Sequence, residues 1–182
     1  MCTRLRDLCA LWNVWLFVLS VFFTQVLTPA HAQETPTFNE VELQQMLAPI
    51  ALYPDALLSQ VLMAASYPLE VVEAQRWISD NQTLAGTSAV QQADQNDWDS
   101  SVKSLVAFPA ILQTMGTNLR WTQRLGQAAA SQQPQVMYAV QVLRHRAYAA
   151  GNLTSNAQVQ VVLSGSDILI EPANSQVFYV PY

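Results

Sequence analysis

Residues 53–80 read Tyr53-Pro-Asp-Ala-Leu-Leu-Ser-Gln-Val-Leu-Met-Ala-Ala-Ser-Tyr67-Pro68-Leu-Glu-Val-Val-Glu-Ala-Gln-Arg-Trp-Ile-Ser-Asp80, and this stretch decides the fold class. Proline starts a helix well, because the first turn has no intrahelical use for its missing N–H and its fixed φ already suits the helix. Pro54 therefore opens a helix to about Ser66, with Leu58, Val61, Leu62 and Ala65 as its inner stripe. Tyr67-Pro68 repeats the device and opens a second helix through Asp80. There Val71, Ala74 and Ile78 share one face, and Glu70, Glu73, Arg76 and Asp80 another, with Trp77 beside the charged side. A chain that punctuates apolar, helix-periodic runs with proline is expected to be mainly α.

Working outward, Asn39 and Glu42 stand in capping-box spacing and Phe38 and Leu43 in staple positions, which predicts a helix from Glu40 to Ala48 before Pro49. Downstream, 81–96 is polar and weakly periodic and reads as a loop with a short helix from Ser88 to Gln95. Asp99 is placed to cap a helix carrying Val102, Leu105 and Val106. Phe108-Pro109 ends that helix and starts one bearing Ile111, Leu112 and Met115. Asn118 is expected to cap the segment of Trp121, Leu125 and Ala128. Pro134 opens a last helix with Val136, Val140, Leu143 and Ala147, closed by Gly151-Asn152. An echo links Tyr67-Pro68 and Arg76-Trp77 with Phe108-Pro109 and Arg120-Trp121, but the spacings differ, so it is not read as a repeat.

Then the period changes to two. Val159, Val161 and Leu163 alternate with polar residues, Ser164 to Asp167 turns the chain into Ile168 to Glu171, and Pro172 to Ser175 turns it toward Val177 to Val180. The expectation is an α+β chain: a helical domain over 39–151, followed by a small antiparallel β-meander over 157–182 that breaks off before a further tail. An open apolar edge there would be a docking site or a liability.

Residues 1–32 have the pattern of a signal peptide: Arg4 and Arg6, an apolar run from Ala10 to Phe23, and Ala30-His31-Ala32 as a small-residue cleavage site. A short linker, 33–38, would follow. The alternative is an uncleaved membrane anchor over Ala10 to Leu27, near the roughly 20 residues that a bilayer requires. Cys2 and Cys9 both precede the apolar run, so cleavage leaves no cysteine, no disulfide framework and no lipoprotein site. The chain holds 8 Lys+Arg against 13 Asp+Glu, and loss of Arg4, Arg6 and Asp7 with the leader leaves six against twelve, a net charge of −6. Without basic clusters such a chain is not expected to bind nucleic acid. Its polarity comes from amides and hydroxyls, with Lys103 the single lysine, so steering of charged partners should be weak.

Two long stretches, Leu47 to Trp77 and Trp98-Asp-Ser-Ser-Val-Lys-Ser-Leu-Val-Ala-Phe-Pro109, together resemble a bacterial secreted family known only as a domain of unknown function, DUF3300. Ile168 to Pro181, with Ile-Glu-Pro-Ala-Asn and Tyr-Val-Pro, is similar to that family's sheet segment. Ser100 departs from the pattern, which has proline there. The resemblance implies a cell-envelope setting, membrane association among its forms, and a Trp-, Pro- and His-rich tail missing here. It implies no activity, substrate or catalytic residue.

Four groups of residues invite a chemical reading. Ser100 and Lys103 match Ser-x-x-Lys, in which a lysine activates a serine at a helix start, but no Lys-Thr-Gly or Ser-Asp-Asn accompanies them. Asp94, Asn96, Asp97 and Asp99 offer oxygens to a hard cation such as calcium. Neither register makes a calcium loop: counting from Asp94 puts Trp98 at a ligand position, and counting from Asp97 puts Val102 at the glycine and Phe108 at the bidentate glutamate, so a capped helix junction is the plainer reading. Glu70 and Glu73 are paired carboxylates of the kind that serve glycoside hydrolysis, and equally ordinary surface partners of Arg76. His145, the one histidine after the leader, lies between Arg144 and Arg146, where cations answer a helix C-terminal dipole. Zinc and Ser-His or Cys-His machinery are accordingly disfavoured.

The expected function is therefore a non-enzymatic envelope module that binds a protein, lipid or cell-wall component and needs no cofactor. The alternatives are a wall or polysaccharide hydrolase using Glu70 and Glu73, and an inner-membrane protein tethered by an uncleaved leader.

Overall fold

A computed structural model describes residues 37–173. Eight helices occur among them: α1 (Glu40–Leu47), α2 (Asp55–Ala64), α3 (Pro68–Asp80), α4 (Gly86–Ala93), α5 (Ser100–Leu105), α6 (Pro109–Thr117), α7 (Leu119–Ser131) and α8 (Gln133–Ala149). An antiparallel hairpin follows, β1 (Val159–Ser164) and β2 (Asp167–Pro172). The chain is thus mainly α with a small β part. The leader and the third expected strand, Val177 to Val180, lie outside the described residues.

The local chemistry of the first helix is the one its sequence prescribes. Asn39 Oδ1 accepts from the Glu42 N–H, and the Glu42 carboxylate accepts from the Asn39 N–H, each at 3.0 Å. Phe38 and Leu43 are both buried as a staple should be. Gln132 grips the same corner from the α7–α8 junction, accepting from Phe38 N at 2.7 Å and donating to Phe38 O at 3.0 Å.

Both boundaries of one helix shift, from Ser88–Gln95 to Gly86–Ala93, and one cap changes role. The short helix starts at Gly86, two residues before Ser88, because Ser88 Oγ bonds back to the Ala85 carbonyl at 2.8 Å and serves in place of a conventional cap. Asn118 does not cap α7: its side-chain amide donates back to Thr114 O at 2.9 Å and so finishes α6. Asn81 does the same at the end of α3, donating to Trp77 O at 2.8 Å.

The helices pair as α1 with α8, α2 with α5 and α3 with α6. Their core is built from Leu47, Leu58, Val61, Leu105, Leu112, Met115, Leu125 and Val140, all essentially sealed from solvent. Gly126 lets α7 lie directly on the end of α2: a Cβ there would come within 2.2 Å of the Ala65 carbonyl oxygen. The hairpin turns at Gly165, whose φ of +63° suits a residue without a Cβ. Ile168 and Ile170 of β2 point inward and form a second apolar cluster with Leu153.

What joins this cluster to the helices is Arg144. Its side chain is 0 % exposed. Nε donates to Ala51 O at 2.9 Å, Nη2 to Tyr53 O at 3.1 Å, and Nη1 to both Asp55 Oδ1 at 2.6 Å and Ile168 O at 2.8 Å. The other Asp55 oxygen accepts from Ile170 N at 2.9 Å. The expectation that Arg144, His145 and Arg146 together answer a helix dipole is corrected for Arg144, which turns inward as a structural clamp. Arg146 reaches Gln44 at 2.8 Å and His145 Nε2 meets Ser166 O at 2.7 Å, so each of the three residues bonds to a different element.

Candidate functional site

The residues with the most suggestive chemistry meet where α3 passes the start of α5. Tyr67, Glu70, Glu73 and Trp77 recur at three- and four-residue spacing and so fall along one side of α3. Across from them the chain arrives as Trp98-Asp99 and enters α5. Glu70 Oε2 accepts from the Asp99 backbone N–H at 2.6 Å, and Glu73 Oε2 accepts from the Trp98 indole N–H at 3.1 Å. The Trp98 ring meets Trp77 edge to face, centroids 5.9 Å apart and planes at 82°.

Asp99 completes the joint. Its carboxylate accepts from the Ser101 N–H at 2.9 Å and from the Ser101 hydroxyl at 2.5 Å, capping α5 as the sequence predicts. The Ser101 hydroxyl and then the Ser101 N–H hold the Asp99 carboxyl below its ordinary value, with smaller help from the Tyr67 hydroxyl. Stabilising the anion with so many donors lowers its basicity and makes Asp99 a poor general base.

The sequence-derived candidates are therefore brought together only in part. Glu70, Glu73 and Asp99 share this joint, each engaged by a backbone or side-chain donor. Arg76, the expected partner of Glu73, forms no ion pair among the described residues, where the ion pairs are Arg124–Glu42 and Arg144–Asp55. Asp94 and Asp97 are exposed, and no group of three acidic, histidine or cysteine side chains that could hold a metal ion converges among the described residues. Lys103 Nζ lies 3.5 Å from the Asp94 carbonyl at the end of α4, and the Ser100 carbonyl accepts from Ser104 Oγ at 2.8 Å; no lysine–serine hydrogen bond forms.

Sequence reasoning missed a second feature. An open cleft of about 600 Å³ separates α1 from the α6–α7 corner. Glu42 and Gln45 line one side, and Asn118, Arg120, Trp121 and Arg124 the other. The Trp121 indole N–H donates to Met46 O at 2.9 Å, fixing the ring at the cleft wall. Arg124 lies 3.5 Å from Glu42 and 5.2 Å over the Phe38 ring. The available signal was the pair of arginines one helical turn apart around a tryptophan; the indole alone reads as core.

No helix among the described residues is long and apolar enough to cross a membrane. The uncharacterized protein YacH of Escherichia coli (strain K12) is 38 % identical over 187 residues, an alignment covering 85 % of this chain and 30 % of YacH. The chain thus spans less than a third of that relative's length. No solved structure matches. The family model described as a protein of unknown function, DUF3300, matches residues 39–182, from the cap of α1 to the C-terminal residue of the sequence, and the chain belongs to that family.

Proposed function

We propose that the chain is an exported, non-catalytic binding module of the cell envelope. One observation carries the non-catalytic part: the paired carboxylates that could have served as acid and base, Glu70 and Glu73, are acceptors for the Asp99 amide and the Trp98 indole at 2.6 and 3.1 Å. A glycosidase needs its two carboxyl groups facing each other across a reacting bond. These two instead lie side by side on one helix and fasten the same junction. Their chemistry is that of a structural joint.

Export rests on the leader pattern of residues 1–32 and on the absence of cysteine after it. Its occupant in the envelope is a protein, lipid or wall component, and the polar cleft beside Trp121 is a place where the described fold offers room for a ligand.

The test has two arms. Expressed with its leader in a bacterial host, the protein is expected outside the cytoplasm with Gln33 as its first residue; an intact Met1 in the cytosolic fraction would sink export. Purified protein is expected to leave isolated peptidoglycan and polysaccharides intact. Release of soluble fragments that Glu70→Gln or Glu73→Gln abolishes would establish the hydrolase instead.

A further inference from the structure

We propose that the cleft between α1 and the α6–α7 corner binds an acidic saccharide, a sugar carrying a carboxylate or a phosphate group. This rests on reading the chain as a binding module and is independent of where the protein resides. Its volume of about 600 Å³ suits one or two sugar rings. Arg120 and Arg124 stand one turn apart on α7, an arrangement of like charges that weakens a helix by itself. Glu42 relieves only Arg124, through one oxygen at 3.5 Å, while its other oxygen accepts from the Asn39 N–H. Arg120 lines the cleft with no hydrogen-bond or ion-pair partner among the described residues.

Arg120 is exposed to solvent along the cleft and has no counter-ion among the described residues, so it is open to an anionic ligand on a chain of net charge −5. Its planar fork matches a carboxylate or phosphate with two parallel hydrogen bonds. Arg124 is already oriented by Glu42 and by the Phe38 ring, so its ordering costs little on binding. The Trp121 N–H is engaged by Met46 O, and the ring therefore offers the ligand hydrocarbon surface, which suits the C–H face of a sugar. Gln45 and Asn118 add amide groups for hydroxyls. A single arginine pair is too small a footprint for a nucleic acid, whose backbone needs many phosphate contacts.

The experiment titrates the purified protein with glucuronate, glucose 6-phosphate, glucose and inorganic phosphate. Binding is followed on the Trp121 indole N–H resonance, assigned by its loss in Trp121→Phe. A saturable shift is expected with at least one of the two charged sugars, and which one responds identifies the acidic group. Glucose and inorganic phosphate should each bind about tenfold weaker or less, and Arg120→Gln should weaken the charged sugar about tenfold, the loss of one charge-assisted contact. Because Arg120 has no hydrogen-bond or ion-pair partner among the described residues, and its loss relieves a like-charge pair, that variant should melt at or slightly above the wild-type temperature. Silence toward both charged sugars, equal binding of glucose, equal binding of inorganic phosphate, or an Arg120→Gln variant that binds like wild type would each overturn the proposal. Export and inertness toward peptidoglycan would stand in any of those cases.

Discussion

All three guanidinium nitrogens of Arg144 donate within the fold, to acceptors on the α1–α2 connection, on α2 and on β2. A buried charge is tolerated only when paired and fully hydrogen-bonded, and removing part of such a set typically costs about 3–5 kcal/mol. Lysine cannot reproduce the fork, so Arg144→Lys is expected to lose about 3 kcal/mol in urea unfolding; a loss under 1 kcal/mol would show that the clamp contributes little. Nothing local announces this residue. Its neighbours make it look like a dipole-answering cation, while its acceptors lie far off in the chain, Ala51 among them at 93 residues. Asp99, by contrast, was legible, because a cap acts within its own turn. Asp99→Ala should cost about 1 kcal/mol at neutral pH. The folded-state pKa of Asp99 is lowered, so its contribution is present above the ordinary carboxyl value of 3.8 and is lost as pH falls through the folded value. The stability gap between wild type and Asp99→Ala should therefore close below that pH, as acid titrations of both proteins would reveal.

At the scale of elements, the proline-started helices were readable almost to the residue, since proline fixes where a helix begins whatever surrounds it. The corners before α3 and α6 are alike: Tyr67 has φ −119° and ψ 59°, Phe108 φ −124° and ψ 70°. Both helices end at an asparagine whose amide donates back into the last turn, α3 with 13 residues and α6 with 9, one turn shorter. The two helices pack against each other, but Trp77 lies within α3 whereas Trp121 lies in α7, beyond the end of α6, so the tryptophans are not equivalent and the spacings differ. Glycines on α6 and α7 should respond oppositely to the same change. Gly126→Ala drives a methyl group into the Ala65 carbonyl at 2.2 Å and is expected to cost about 2 kcal/mol. Gly116→Ala meets the Cβ and Cγ of Gln75 at 3.3 Å, so α3 and α6 must part by a few tenths of an ångström, and the gain in helix propensity should keep it within about 1 kcal/mol of wild type. Thermal melts of the two variants would discriminate; equal melting points would refute the close crossing of α7 on α2.

For the whole molecule, periodicity announced both halves of the chain, a helical array and a strand-forming end, because burial of one face imposes a period of 3.6 or 2. It could not announce how they are joined. The Glu70–Asp99 and Glu73–Trp98 contacts, like the cleft beside Trp121, form between segments tens of residues apart, and such meetings leave no local pattern. Since β2 supplies an acceptor to Arg144 and a donor to Asp55, the hairpin and helices are expected to unfold together. In native-state hydrogen exchange the Ile170 amide should open at the same free energy as the amides of α2; markedly faster exchange would mean that the hairpin is an independent appendage. The clamp also ties together distant parts of the chain. Three of its four acceptor residues emerge from the ribosome about ninety positions ahead of Arg144, and the fourth only 24 positions after it. Until Ile168 arrives, the cation has a vacant place in its coordination and good reason to stay in water. Arg144 and Asp55 therefore each stay one partner short until β2 docks, so the hairpin is the element that closes the clamp.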